Sequence, residues 1–167
     1  MDDSCSHHRR RETVISPSPR HRGRPLESAV VGERDEFGSY EVTEEEIISF
    51  AEQYDPQEFH VDPEAAAASP FGGLAASGWH TASMTMRLIV ENALEDGATR
   101  GALGVDELRW RRPVRPGDEL SVRTEIVDTE EWDDDHGLVS VQITTEADGD
   151  VVLTMVALVL YERRQSD

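Results

Sequence analysis

SGWHTASMTMRLIVENAL, residues 77–94, is the stretch on which the fold turns. Trp79, Ala82, Ser83, Met86, Ile89, Val90 and Ala93 recur at helical spacing, which predicts the longest helix of the chain with one stripe turned inward. After Gly97 the period changes from helical to alternating. Four strands are predicted, over 102–111, 118–129, 137–147 and 150–162. Leu120, Val122, Thr124 and Ile126 alternate with polar neighbours, and Val139, Val141, Ile143 and Thr145 do the same. Asp148-Gly149 is a hairpin signal, and the last strand is apolar on both faces, as a strand near the middle of a sheet should be. The expected class is α+β, a single domain in which an antiparallel sheet wraps a long central helix.

Upstream of that helix, residues 34–41 read as a short extended segment. Thr43 and Glu46 form a capping box, and Ile47, Phe50, Ala51 and Tyr54 give the following helix one buried face. Pro56 disfavours a helical backbone at Asp55, so this helix should end near Tyr54 and leave Asp55 at its exit. Asp62-Pro63 reads as an N-cap followed by a first-turn proline, opening a short helix through Ala68 that Ser69-Pro70-Phe71-Gly72-Gly73 breaks. Residues 1–26 carry six arginines against three carboxylates without apolar periodicity. They are expected to be a disordered basic tail, with the domain occupying 27–167.

The chain of 167 residues carries 35 acidic and 16 basic residues, for a net charge of −19. Every basic residue is arginine. Acids spread along the domain with no lysine suggest adaptation to concentrated salt, a halophilic surface. The same sign of charge argues against nucleic acid, whose phosphates need a basic patch. No apolar run reaches the roughly 20 residues of a membrane span, so a soluble, cytoplasmic protein is expected. Cys5 is the single cysteine, which excludes an intrachain disulfide and a multi-cysteine metal site.

Asp55 and His60 lie five residues apart across a proline-containing turn, and a carboxylate and an imidazole so placed can move protons in one site. The bland alternatives are a local cap and a surface histidine. Ser83 lies on the apolar stripe, where its hydroxyl bonds either a backbone carbonyl one turn back or Asp55. His80 lies off the stripe and is read as structural or solvent-facing. Ser77-Gly78 at the helix start offers free N–H groups and the positive end of the helix dipole.

Phe50-Ala51, Asp55, His60, Asp62, Phe71-Gly72-Gly73 and Ser77-Gly78, followed by Arg112-Pro113-Val114-Arg115-Pro116-Gly117-Asp118, resemble the MaoC-like hydratases and acyl dehydratases. The resemblance spans most of residues 34–162. It implies a hotdog fold, a homodimer, and an acyl thioester of coenzyme A or of an acyl carrier protein as substrate. No metal and no redox cofactor are implied. By position, Asp55 and His60 match the catalytic pair, Ser83 matches a serine supporting the aspartate, and Gly78 matches the glycine beside the thioester carbonyl. The implied reaction is addition of water to a trans-2-enoyl thioester, giving the (R)-3-hydroxyacyl product. Two departures are visible. Gln57-Glu58 stands where the family often has asparagine-proline, and Ser77 stands where it often has histidine.

Arg109, Arg111, Arg112 and Arg115 fall within seven residues of an otherwise acidic domain and are candidates for the phosphates of coenzyme A, the alternative being pairs with surface carboxylates. Two further readings share the fold: a hotdog acyl-CoA thioesterase, and a non-catalytic protein that binds acyl thioesters.

Overall fold

The computed structural model describes residues 25–94 and 99–164. Its elements run β1 (Arg34–Glu41), α1 (Glu44–Tyr54), α2 (Glu58–Val61), α3 (Pro63–Ala68), α4 (Gly78–Asn92), β2 (Thr99–Trp110), β3 (Glu119–Glu131), β4 (His136–Ala147) and β5 (Asp150–Glu162). All strand pairs are antiparallel, in the order β1-β3-β4-β5-β2. The five-stranded sheet curls about α4, which is the hotdog arrangement. β5 lies inside the sheet as its apolar faces require, and the β4–β5 hairpin turns on Asp148 (φ 50°) and Gly149 (φ 88°). Most of the basic tail expected over 1–26 lies outside the described residues. Leu26 belongs to the folded body, where it packs against Ile126, Val139 and Tyr161. No helix among the described residues is long and apolar enough to cross a membrane.

Local chemistry explains the helix ends. The Thr43 hydroxyl accepts from the Glu46 N–H at 3.2 Å, and the Asp62 carboxylate accepts from the N–H groups of Glu64 and Ala65 at 2.9 and 3.2 Å. The predicted break after Tyr54 is present, but the turn behind it contains the one-turn helix α2, which periodicity over four residues cannot reveal.

The inward face of α4 differs from the expected one. His80, Thr81, Met84, Thr85, Leu88 and Ile89 are buried, whereas Trp79, Met86 and Val90 are about half exposed. The sequence offers two partly apolar faces, and the sheet takes the one bearing two threonines. Those hydroxyls are satisfied: Thr81 donates to the Ser77 carbonyl, and Thr85 donates to the Thr81 carbonyl and meets the Thr145 hydroxyl at 2.8 Å. Around them Met84, Leu88 and Ile89 pack on Leu120, Val122, Ile143 and Leu153. β1 approaches α4 closely at Gly38, where a Cβ would stand 2.8 Å from the Leu88 side chain.

β2 is an edge strand whose register against β5 slips at three places, the last of them between Asp106 and Arg109. Asp106 pairs with Val156 and Arg109 with Thr154, so three steps along β2 match two along β5, and Glu107 takes φ 52° at the bulge. The bulge reverses which residues face inward. Val105 lines the concave side before it, whereas Leu108 and Trp110 do so after it. Arg109 is thereby placed on the convex face.

Thr85→Val would strand the buried Thr145 hydroxyl, with an expected destabilisation of about 1–3 kcal/mol. The double change Thr85→Val/Thr145→Val should recover most of that loss. Denaturant unfolding of the three proteins measures both.

Candidate functional site

The exit of α1 and the entrance of α4 meet at one hydrogen bond. Asp55 is the C-cap residue of α1, its backbone non-helical (φ −154°, ψ 66°) as Pro56 favours, and Ser77 is the N-cap residue of α4. The fully buried Ser77 hydroxyl donates to Asp55 Oδ2 at 2.7 Å and accepts from the Trp79 N–H at 3.3 Å. Both of its roles are fixed by the helix start. The other carboxylate oxygen, Oδ1, accepts from the Gln57 amide at 2.7 Å. Burial raises the pKa of the Asp55 carboxyl, but these two hydrogen bonds and the neighbouring His60 outweigh it, and the net direction is down from the ordinary aspartate value. Asp55 is thus held as the carboxylate.

His60 sits on α2 and is 6% exposed. Its Nδ1 lies 2.6 Å from the Ala75 carbonyl oxygen, which can only accept, so Nδ1 carries a proton and Nε2 is the exchangeable nitrogen. Nε2 lies 3.5 Å from Asp55 Oδ2, beyond hydrogen-bond length. The pair is therefore set to share a small oxygen-bearing group instead of bonding directly.

The loop that carries Ala75 is itself clamped. The Arg115 guanidinium donates to the carbonyls of Gly73, at 2.7 Å, Leu74, at 3.2 Å, and Phe71, and the Ala76 N–H donates to the Val114 carbonyl. Arg115 thus positions His60 through the backbone.

Asp55, His60, Gly78, Trp79, Trp110, Arg111 and Arg112 all line one pocket of about 420 Å³. Gly78 stands at the first helical position, where N–H groups have no acceptor within the helix. A Cβ there would lie 2.4 Å from the Trp110 ring, so only glycine lets this indole lie against the helix start. Trp110 in turn meets Trp79 edge-on at 5.2 Å. The site combines a carboxylate, an imidazole nitrogen and a helix N-terminus, which suits proton transfer beside a developing oxyanion.

Several expected residues lie elsewhere. Ser83 does not support Asp55: its exposed hydroxyl donates to the Trp79 carbonyl at 2.8 Å, the ordinary helix back-bond. Six residues beyond Ser77, at about 100° per residue, it points roughly 240° around the helix. Ser77 takes the supporting role, and its signal was its place immediately before the helix glycine. Of the four arginines, Arg111 and Arg112 border the pocket, although Arg112 is paired with Asp150. Arg115 is committed to the loop. Arg109 is on the opposite face of the sheet. Glu58 is exposed and faces solvent. His80 is buried and structural, stacked on Phe50 at 4.6 Å with Nε2 3.5 Å from Glu46. Burial lowers its pKa against the opposing pull of Glu46.

A hotdog domain with an acid–base pair at the entrance of its central helix is the class that the fold and site define. The MaoC like domain family matches residues 27–147, and the chain belongs to that family. It is similar to the MaoC-like dehydratase from Rhodospirillum rubrum, at 42% identity and a TM-score of 0.78, over 86% of this chain and all of that one. It is 31% identical over 118 residues to the 3-hydroxyacyl-thioester dehydratase Z of Mycobacterium tuberculosis, covering 70% of this chain and 78% of that protein. It is 28% identical over 120 residues to the uncharacterized protein YdeM of Bacillus subtilis, covering 72% and 85%.

Removing the Ser77 hydroxyl takes a donor from the ionised form of Asp55, so Ser77→Ala should raise the pKa of that carboxyl. The shift is read by NMR titration of the carboxyl carbon. Because the folded pKa lies below the unfolded one, Asp55 stabilises the fold above the ordinary aspartate range. That contribution is lost as pH falls from the unfolded value through the folded one, and in Ser77→Ala the loss should be smaller and complete at a higher pH.

Proposed function

We propose that the protein is a hydro-lyase that interconverts a trans-2-enoyl thioester and its (R)-3-hydroxyacyl thioester. The observation that carries this reading is the 3.5 Å separation of Asp55 Oδ2 and His60 Nε2 in a pocket that also exposes the start of α4. A water held between the two atoms is the nucleophile. Asp55 takes one of its protons while the oxygen bonds to C3 of the enoyl group. The C2–C3 π electrons move toward the thioester carbonyl, whose oxygen gains charge beside the N–H groups near Gly78. Asp55 passes that proton to the bare Nε2 of His60, whose Nδ1–H stays on the Ala75 carbonyl, and C2 takes it from Nε2, so both groups end as they began. The 3.5 Å separation of Asp55 Oδ2 and His60 Nε2 lets both transfers occur on one face of the double bond, which supports syn addition. The reverse sequence removes water.

Family membership and the likeness to a 3-hydroxyacyl-thioester dehydratase support the same reading. Assembly as a homodimer is part of the proposal. Trp79, Met86 and Val90 of α4 and Leu103 and Val105 of β2 are exposed apolar side chains beside a sheet edge, the kind of surface a second copy covers.

With crotonyl-CoA in concentrated salt, the enoyl-thioester absorbance should fall without release of free thiol. Release of thiol would instead indicate a thioesterase. Asp55→Asn and His60→Ala should each lower turnover by about 10²–10⁴-fold with the fold retained by circular dichroism. Full activity in either variant overturns the site. Arg115→Ala, which frees the loop behind Ala75, should lower kcat by a smaller factor.

A further inference from the structure

In a chain of 35 carboxylates and 16 arginines, a guanidinium without a carboxylate is the exception. Arg34, Arg87, Arg100, Arg112, Arg123 and Arg163 each form an ion pair with an aspartate or glutamate. Arg115 is spent on three carbonyls. Among the described residues, Arg109, Arg111 and the chain-end Arg164 have no carboxylate within 4.0 Å of the guanidinium, and only the first two lie near the pocket: Arg109 donates to its neighbouring Leu108 carbonyl, and Arg111 Nε donates to the Thr154 hydroxyl at 3.1 Å. Most of their N–H donors remain available.

These two arginines border an open depression of about 450 Å³ on the convex face of the sheet, together with Thr144, Thr154, Gln142 and Glu107. The cross-strand register puts Arg109 opposite Thr154 and Thr154 opposite Thr144, so a guanidinium and two hydroxyls stand in one row. The Gln142 amide is already engaged with the carbonyls of Ile143 and Met155. Glu107 is the one acidic group on the rim. The row exists because of the bulge at Glu107. In a regular strand of the same sequence, Arg109 would face the concave side with Val105. Arg111 lines both this depression and the catalytic pocket, so a ligand extending from Asp55 and His60 over the end of β2 reaches Arg109 by way of Arg111.

We infer that Arg109, Arg111, Thr144 and Thr154 form a phosphate-binding site on the convex face of the sheet, which holds the nucleotide phosphates of a coenzyme A thioester whose acyl end occupies the catalytic pocket. The inference rests on the thioester reading of that pocket and narrows it to a free coenzyme A substrate. Fork-shaped guanidinium donors with flanking hydroxyls match a phosphate dianion. A protein-borne arm offers a single phosphodiester, and its carrier would have to dock over a strongly acidic surface.

The test compares kcat/KM for crotonyl-CoA, crotonyl-pantetheine, which lacks phosphates, and a crotonyl-loaded acyl carrier protein. The wild-type protein should prefer crotonyl-CoA to both by about tenfold or more. The ratio of crotonyl-CoA to crotonyl-pantetheine should fall by a similar factor in Arg109→Gln and by less in Thr144→Val. A ratio within twofold of wild type in Arg109→Gln overturns the inference, as does preference for the carrier-borne thioester. Absence of turnover with all three thioesters defeats the hydro-lyase reading instead. Calorimetric titration with coenzyme A then decides the phosphate site alone: a tenfold weaker Kd in Arg109→Gln supports it, and an unchanged Kd overturns it.

Discussion

The hydrogen bond from Ser77 to Asp55 is the junction on which the pocket depends. It joins the last residue of one helix to the first of another, and its geometry is set from both sides. The hydroxyl must accept from the Trp79 N–H to cap α4, which leaves its proton for the carboxylate. Capping, usually a matter of stability, here also orients the candidate base. The same junction brings Asp55 beside the unbonded N–H groups of the α4 start. Against the opposing effect of burial, the hydrogen bonds from Ser77 and Gln57 and the neighbouring His60 hold the Asp55 pKa below the ordinary aspartate value. His60 reaches the junction by a separate route, held through Ala75 by a loop that Arg115 grips from below. Two independent supports therefore set one 3.5 Å gap.

The second constraint is the bulge at Glu107 in β2. A non-glycine residue at positive φ costs of order 1 kcal/mol or more, and the surrounding ladder must hold it there. Its effect is to turn Trp110 inward against Gly78 while Arg109 goes to the convex face. One inserted residue thus builds a wall of the pocket and clears a row of donors behind it. A regular strand of the same sequence would do neither. Strain of this kind at the rim of a site is the common place for bulges.

Much of this was legible in the sequence, and the exceptions have physical causes. The strands, the capping box, the break at Pro56 and the hairpin at Asp148-Gly149 are local signals, and each element lies within a few residues of where those signals place it. Asp55, His60 and Gly78, which the motif singles out, line one pocket. The inward face of α4 was not legible, because threonine counts as polar until a partner such as Thr145 is found across the core. Ser83 was assigned by position in a motif, whereas the hydroxyl near Asp55 is decided by the direction of a helix N-cap. The bulge left no trace in the alternation of β2, since an extra residue reverses the facing of everything beyond it and only the register against β5 exposes it.

Charge ties these features to the substrate. An anionic ligand such as the proposed thioester, approaching a chain of net charge −19, is repelled at long range in dilute buffer. In 1 M salt the screening length is about 3 Å, and that repulsion is confined to direct contact. Recognition then depends on the groups the ligand touches, and on an acidic surface most cations are neutralised by their own neighbours. Arginines that the fold leaves without a carboxylate retain their donors for an incoming anion. Their position at the end of β2, Arg111 at the rim of the pocket that contains Asp55 and His60 and Arg109 behind it on the convex face, makes local pairing, and not net charge, the property that would select the substrate.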